Sequence, residues 1–282
     1  MKDFDTVLAR AEKLLERFER LLPGEIETDW EGTAYRWVAK RGLVRVIHPH
    51  AIQMENLNGI EMQKRLVEDN TRQFVKGHPA NNVLLTGARG TGKSSLVKAL
   101  LNRYSSEGLR LIEVEKKDLV DLADIVEKIM GRPEKFVLFC DDLSFDQEEG
   151  GYRELKVVLD GSVSTAPDNV LVYATSNRRH LMPEFMQENL ETRYLGDEIH
   201  PGETVEEKIS LSERFGLWVS FHPFDQGEYL KIVDHWLDHF QVKGRRGARK
   251  AALQWALNRG SRNGRVAWQF ARDWAGREAA KG

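Results

Sequence analysis

Two adjacent carboxylates, Asp141 and Asp142, end an apolar run in the segment FVLFCDDLSF. Neighbouring carboxylates repel each other, and each loses hydration when it is buried. A solvated turn after a buried strand would explain the pair, and so would a site that holds a divalent metal ion and a water molecule. The choice between these interpretations depends on whether the rest of the chain supplies a phosphate-binding loop.

A glycine-rich segment upstream supplies such a loop. The sequence GARGTGKSS matches the phosphate-loop pattern G-x-x-x-x-G-K-[ST], and it follows a strand-like segment and precedes a helical one, as the motif requires. Its glycines let backbone N–H groups turn toward phosphate oxygens, and the helix N-terminus adds partial positive charge. The predicted nucleotide-binding residues of this loop are Gly87, Ala88, Arg89, Gly90, Thr91, Gly92, Lys93, Ser94 and Ser95.

The loop and the acidic pair together predict a reaction at a terminal phosphate. Lys93 is expected to reach the β- and γ-phosphates, and Ser94 to place its hydroxyl on Mg²⁺. In phosphate-loop proteins an acid at the end of a second apolar strand also holds the magnesium, and Asp141 fits that position. Asp142 is then the candidate general base, or the group that orients the attacking water. The charge of the metal would offset the repulsion between the two acids.

The composition bounds the class of protein. The chain has 282 residues, of which 41% are hydrophobic and 30% charged, and this is typical of a globular, soluble protein. The formal net charge of −2 means that any surface for a polyanion must be local. The single cysteine, Cys140, allows no internal disulfide, and no segment reaches the roughly 18 consecutive apolar residues of a membrane span. We therefore expect a cytoplasmic protein with no membrane partner.

Strands and helices alternate through the middle of the chain. The segments NVLLTG, LRLIEV, KFVLFCDD, NVLVYATSN and LWVSFHP have strand character, and helical patterns separate them. This alternation predicts an α/β fold with a parallel sheet. Three regions are predicted: an amphipathic helix and extension at residues 1–53, the α/β core at 54–222, and a helical region at 223–282.

These motifs in this order resemble the AAA+ ATPases. The resemblance implies a P-loop core with a five-stranded parallel sheet, a C-terminal all-helical lid and an N-terminal extension, with ATP and Mg²⁺ as cofactors. Glutamate is the commoner residue at the position of Asp142, although some AAA+ proteins carry paired aspartates. More narrowly, GARGTGKSSLVKAL, FCDDLSF, YATSNRRHL and SERFGLWVSFH are similar to a bacterial AAA+ family described only as a domain of unknown function.

The same resemblance assigns further site residues. Asn177 in YATSN resembles the sensor-1 residue that helps to orient water, and Arg265 resembles the sensor-2 arginine, with Arg262 close by. Arg214 in ERFG resembles the arginine finger that reaches the nucleotide of a neighbouring subunit, although a surface salt bridge is the alternative. Competing finger candidates are Arg193, Arg178 and Arg179. The adenine is expected near Leu57, Gly59, Ile60 and the His222–Pro223 pair. The implied catalytic set is Asp142, Asn177, Arg214 and Lys93.

The resemblance also implies a partner, because AAA+ proteins couple hydrolysis to movement of a lid against a core. We expect a homo-oligomer that remodels an unknown protein client. One alternative is a nucleic-acid-linked ATPase that resembles replication initiators or helicase loaders, and another is an ATP-gated scaffold with negligible turnover. From Lys243 onward the sequence contains eleven basic and two acidic residues. The lid is therefore either a solvated basic surface or a nucleic-acid contact.

Overall fold

The computed structural model describes residues 27–143, 151–160, 167–177, 193–195, 198–200 and 211–280. Its strands in chain order are β1 (Ala34–Val38), β2 (Gly42–Arg45), β3 (Val83–Gly87), β4 (Leu109–Glu113), β5 (Lys135–Cys140), β6 (Val170–Ser176), β7 (Arg193–Leu195), β8 (Glu198–His200) and β9 (Leu217–Phe221). Seven of them form one sheet in the order β2-β1-β4-β5-β6-β3-β9, and β7 and β8 form a separate antiparallel pair.

Helices lie before β3, between the core strands and after β9. They are α1 (Glu61–Val75), α2 (Lys93–Tyr104), α3 (Leu122–Ile129), α4 (Gly151–Asp160), α5 (Gln226–His239), α6 (Ala248–Asn258) and α7 (Gly264–Ala279). A 3-10 turn at Lys116–Asp121 leads into α3. The predicted amphipathic helix near the N-terminus lies outside the described residues.

The predicted α/β class is confirmed, but the sheet has seven strands and not five. Strands β4, β5, β6, β3 and β9 are the expected parallel core, and β1 adds to its edge in parallel, with Ala34 opposite Leu111. Strand β2 then pairs antiparallel with β1. Tyr35, Trp37 and Leu43 of this hairpin are buried in the same core cluster as β4 and β5, which explains why the hairpin joins the sheet. The division at residue 53 stays a prediction.

Neighbouring parallel strands bring the predicted site residues to one edge of the sheet. Strand β6 lies between β5 and β3, with Cys140 opposite Ala174 and Thr86 opposite Ser176. The carboxyl ends of parallel strands lie on the same side of a sheet, which is where ligands bind in open α/β folds. The phosphate loop after β3, the acidic pair after β5 and Asn177 after β6 therefore converge.

Helices α5, α6 and α7 form the C-terminal helical region. Helix α5 begins at a capping box in which Asp225 and Glu228 exchange side-chain and backbone hydrogen bonds. The buried hydroxyl of Tyr229 on α5 donates to the carbonyl oxygen of Ala252 on α6 at 3.1 Å, and Phe270 of α7 completes the packing. None of the helices in the described part of the chain combines the length and apolar character that a membrane span requires.

Candidate functional site

A cleft of about 990 Å³ lies between the phosphate loop, the segment before α1, and the helical region. It brings together most of the predicted site residues. The cleft-lining members of the predicted set are Ile60, Arg89, Gly90, Thr91, Gly92, Lys93, Ser94, Ser95, Asp141, Asp142, Asn177 and Arg265. Gly87 and Ala88 do not line the cleft, but their carbonyl oxygens contact Lys93.

The phosphate loop has the backbone shape that its glycines allow. Gly87 and Gly92 adopt φ values of +122° and +105°, which residues other than glycine rarely adopt. A Cβ on Gly87 would overlap the carbonyl oxygen of Phe221 on β9, since the loop leaves the sheet against that strand. The hydroxyl of Thr91 donates to the carbonyl oxygen of Ala88 at 2.8 Å and so ties the loop across its own bend.

Lys93 lies at the centre of the loop and is only 5% exposed. Its ammonium group donates to the carbonyl oxygens of Gly87 and Ala88 at 2.7 and 2.8 Å, and to Oδ1 of Asn177 at 3.1 Å. Burial lowers the pKa of Lys93 to about 8, although the negative charges of Asp141 and Asp142 act in the opposite direction. A polyanion bound here would compensate the buried charge.

Ser94 and Asp141 form the pair predicted to hold magnesium. The Ser94 hydroxyl donates to Oδ1 of Asp141 at 2.6 Å, so the two oxygens meet at the first turn of α2. Oxygen ligands suit Mg²⁺, which takes only one or two protein groups and completes its shell with water and phosphate. No group of three or more His, Cys, Asp or Glu side chains suited to a metal occurs in the described part of the chain, and a two-ligand magnesium site does not need one.

Asp142 is held in an unusual conformation beside this pair. Its φ of +53° lies in the left-handed region, where an aspartate is strained unless its surroundings fix it. Oδ1 of Asp142 accepts a hydrogen bond from the side-chain amide of Asn177, and Oδ2 lies 3.5 Å from the guanidinium of Arg89. The carboxylate is 59% exposed, so water can reach it from the cleft.

Thr175 is a site residue that the sequence reasoning missed. Its hydroxyl donates to Oδ1 of Asp141 at 2.6 Å and accepts from the backbone N–H of Asp142 at 2.8 Å. One buried side chain on β6 therefore positions both acids at the end of β5. The available signal was its place two residues before Asn177 in YATSN, on the strand that neighbours the acidic pair.

The helical region touches the phosphate loop directly. The backbone N–H of Gly264, at the start of α7, donates to the carbonyl oxygen of Gly90 at 2.9 Å. Asn263 caps α7 by accepting from the N–H of Val266 at 2.9 Å, and a Cβ on Gly90 would lie 2.6 Å from its side-chain carbon. Arg265 follows this contact and lines the cleft, and its role as the lid arginine stays a prediction.

Several apolar side chains also line the cleft. Leu57 and Ile60, two of the residues expected near adenine, line it, but Gly59, His222 and Pro223 do not. The helical region and the segment before it contribute three more cleft-lining side chains, namely Phe224, Ile232 and Trp236. A Cβ on Gly59 would lie 3.0 Å from Phe224, so the two segments are in close contact behind the cleft wall.

Arg214, the first of the finger candidates, contacts a different part of the molecule. Nε of Arg214 lies 2.6 Å from Oδ2 of Asp160 at the end of α4, and Arg214 is not among the cleft-lining residues of its own chain. This ion pair matches the alternative of a surface salt bridge, and it leaves the finger as a prediction. Arg193 is described only by its place on β7, while Arg178 and Arg179 lie outside the described residues.

Acidic residues of the helical region neutralise part of its positive charge. Arg245 and Arg249 pair with Asp238 and Asp234 of α5 at 2.6 and 2.7 Å. Arg277 pairs with a carboxylate one turn earlier on α7. Three of the basic residues counted from Lys243 onward therefore have acidic partners, and two of those partners precede the counted segment.

A family model described as "Protein of unknown function (DUF815)" matches residues 31–278. The chain belongs to this family. The match confirms the narrower resemblance, to a family described only as a domain of unknown function.

Curated relatives include the 26S proteasome regulatory subunit 4 homologs. The Schizosaccharomyces pombe protein is 28% identical over 149 residues, which are 46% of this chain and 33% of that protein. The Saccharomyces cerevisiae protein is 34% identical over 89 residues, which are 28% of this chain and 20% of that protein.

Solved structures share the fold. The Thermotoga maritima RuvB Holliday junction branch migration motor aligns with a TM-score of 0.52 and 18% identity, covering 78% of this chain and 63% of that one. The Aeropyrum pernix Orc1 protein in complex with DNA aligns with a TM-score of 0.52 and 13% identity, covering 80% and 62%. The chain thus spans a third or less of the matched proteasome subunits and under two thirds of these structures. The comparisons confirm the AAA+ fold.

Proposed function

We propose that this protein binds Mg·ATP in the cleft and hydrolyses it. The observation that carries the proposal is the convergence of the buried Lys93, the Ser94–Asp141 pair and the strained Asp142 on one wall of a cleft large enough for a nucleotide. The AAA+ fold and the relatedness to proteasome regulatory subunits add support from outside the chain.

Each residue of the site would have a chemical role in the proposed hydrolysis. The loop N–H groups and Lys93 would hold the phosphates, and charge on Lys93 would stabilise the negative charge that develops on the γ-phosphate. Asp142 would accept a proton from, or orient, the attacking water, while Asn177 holds that carboxylate and Lys93 in a fixed relation. Magnesium, held by Ser94 and Asp141, would neutralise phosphate charge.

The test separates binding from turnover. Asp142→Asn keeps the shape of the side chain but removes its charge, so ATP binding should persist while hydrolysis falls about a hundredfold or more. Asp124→Asn on the exposed side of α3 is the matched control, and its turnover should equal that of the unmodified protein. Calorimetric binding and phosphate release would be measured on the same preparations. Normal turnover in Asp142→Asn would remove this residue from the mechanism.

We further propose that the active form is a homo-oligomer in which Arg214 acts on a neighbouring subunit and the lid moves a protein client. Arg214 lies outside its own cleft, which suits a residue that acts on another copy. Mixing Arg214→Ala with Lys93→Ala subunits should restore part of the activity, because mixed assemblies contain one intact site per suitable interface. No recovery at concentrations where the subunits co-assemble would contradict the finger.

A nucleic-acid-linked ATPase is the second candidate, favoured by the excess of basic residues after Lys243. The RuvB and Orc1 structures, one named for a Holliday junction motor and one solved with DNA, are compatible with it. DNA should then raise the ATPase rate with a steep dependence on salt. Turnover at background level despite tight ATP binding would instead favour an ATP-gated scaffold. The cytoplasmic location stays a proposal that rests on the single cysteine.

A further inference from the structure

An open groove of about 620 Å³ follows helix α7 beyond the nucleotide cleft. All the residues that line it belong to α7 or directly follow this helix, and they are Trp268, Gln269, Arg272, Asp273, Gly276, Arg277 and Ala280. We call this surface the α7 groove. Trp268 and Gln269 also line the nucleotide cleft, so the groove and the cleft adjoin each other.

The α7 groove carries positive charge that the fold does not neutralise. The guanidinium of the exposed Arg272 lies 5.2 Å from the ring centre of Trp268 and has no carboxylate partner in the described part of the chain. Asp273 is the acid that lines the groove, and it is already paired with Arg277. Arg265, about one turn before Trp268, is exposed and likewise has no carboxylate partner among the described residues. The groove therefore suits an anionic ligand.

An arginine beside a tryptophan ring offers two kinds of contact. A guanidinium binds phosphate oxygens through several N–H donors, and both tryptophan rings and guanidinium planes stack on nucleobases. A duplex keeps its bases stacked inside, whereas a single strand can present a base and a phosphate together. An acidic peptide would satisfy the charge and leave the aromatic surface of Trp268 unused. Charge and ring together therefore favour single-stranded nucleic acid.

We propose that the α7 groove binds a single strand of nucleic acid, with a phosphate on Arg272 and a base against Trp268. The inference rests on the nucleic-acid-linked alternative proposed above, and it adds the surface and the form of the nucleic acid. Gly276, about one turn beyond Arg272, keeps the groove open, since a Cβ there would meet nothing within 4 Å. A bound strand would lie on the helix whose first residue donates to the phosphate loop at Gly90.

The first experiment measures binding of a fluorescein-labelled strand of about 20 thymidines to the full chain by fluorescence anisotropy, at several salt concentrations. Arg272→Gln should weaken binding about threefold to tenfold and reduce the slope of log K against log salt by about 0.7, because one phosphate contact is lost. Arg259→Gln is the matched control. It removes the same charge from an exposed arginine that lies 5.3 Å from the ring of Trp255, outside the α7 groove, and it should keep the Kd and the slope.

Equal losses in Arg272→Gln and Arg259→Gln would overturn the proposal, because binding would then follow net charge alone. An unchanged Kd in Arg272→Gln would overturn it as well.

A second variant blocks the groove and leaves every charge in place. Gly276→Leu introduces a side chain into open space on α7, so the melting temperature should be kept while strand binding weakens about tenfold, the order of one lost base stack. A duplex of the same length should bind the unmodified protein more weakly than the single strand.

Each other result has a distinct meaning. If Gly276→Leu binds the strand as tightly as the unmodified protein, the α7 groove is not the site, although the nucleic-acid-linked alternative stands. If the duplex binds as tightly as the strand, the proposal is wrong about the form of the nucleic acid. If neither DNA binds below about 100 µM, the nucleic-acid-linked alternative itself fails, and the proposed hydrolysis of Mg·ATP is unaffected.

Discussion

Lys93 should make nucleotide affinity depend on pH in the mildly alkaline range. Its ammonium group is buried, and the burial lowers its pKa to about 8 in the nucleotide-free protein. Bound phosphates favour the charged form, so the pKa of Lys93 rises on binding. The complex then holds a proton that the free protein loses as the pH rises through 8, and affinity must fall above that pH.

The size of the effect follows from the titration. The protonated fraction of a group with a pKa of about 8 falls from about one half at pH 8 to about one eleventh at pH 9. If only the charged form binds well, the Kd of ADP rises about fivefold over this interval and approaches a tenfold rise for each further pH unit. Between pH 6 and pH 7 Lys93 is almost fully charged, so any change in the Kd there comes from the terminal phosphate of ADP, whose second pKa is about 6.

The assay is calorimetric titration with ADP from pH 6 to pH 9.5 at constant ionic strength, without added magnesium, so that no metal-bound water contributes. Lys93→Arg should remove the pH dependence, because a guanidinium stays charged throughout this range. Lys98→Arg changes another cleft-lining lysine and should keep the profile. A Kd that stays flat from pH 7 to pH 9, or an equal slope in Lys93→Arg, would refute the reasoning.

Three further outcomes are expected. Thr175→Val removes the hydroxyl that holds both acids, so kcat should fall about tenfold to a hundredfold, whereas Thr71→Val, at another buried threonine with two hydroxyl contacts, should affect only the melting temperature. Gly87→Ala should lower the free energy of unfolding by about 2 kcal/mol more than Gly108→Ala, because both glycines have positive φ but only Gly87 meets backbone atoms. Leu43→Ala should cost about 2–5 kcal/mol in denaturant unfolding if the β1–β2 hairpin belongs to the core, and a loss under 1 kcal/mol would make it peripheral.

The sequence predicted those features whose physical cause is local. The phosphate loop needs a fixed order of glycines, lysine and serine, so Lys93 and Ser94 could be recognised from the letters alone. Apolar strands between helices likewise indicated the parallel core. The acids after β5 and Asn177 after β6 converge because parallel strands end on one side, a consequence of topology that the alternating pattern already implied.

Features that depend on distant partners were not predictable in this way. The role of Thr175 follows from its position opposite the end of β5. This register cannot be deduced from the sequence of either strand alone. Similarly, β1 joins the sheet through pairing with β4, more than 70 residues later in the chain, as the pairing of Arg36 with Glu113 shows. Arg214 meets Asp160 across 54 positions.

The hydrogen bond between Gly264 and Gly90 links two parts of the molecule that a nucleotide would also touch. Neither residue has a side chain, and the space around the bond leaves little room for one. A displacement of α7 by more than a fraction of an ångström must therefore either break this bond or drag the peptide of Gly90 with it. The first residue of α7 and the phosphate loop are therefore linked through their backbones, so a nucleotide that shifts Gly90 would also shift the start of α7.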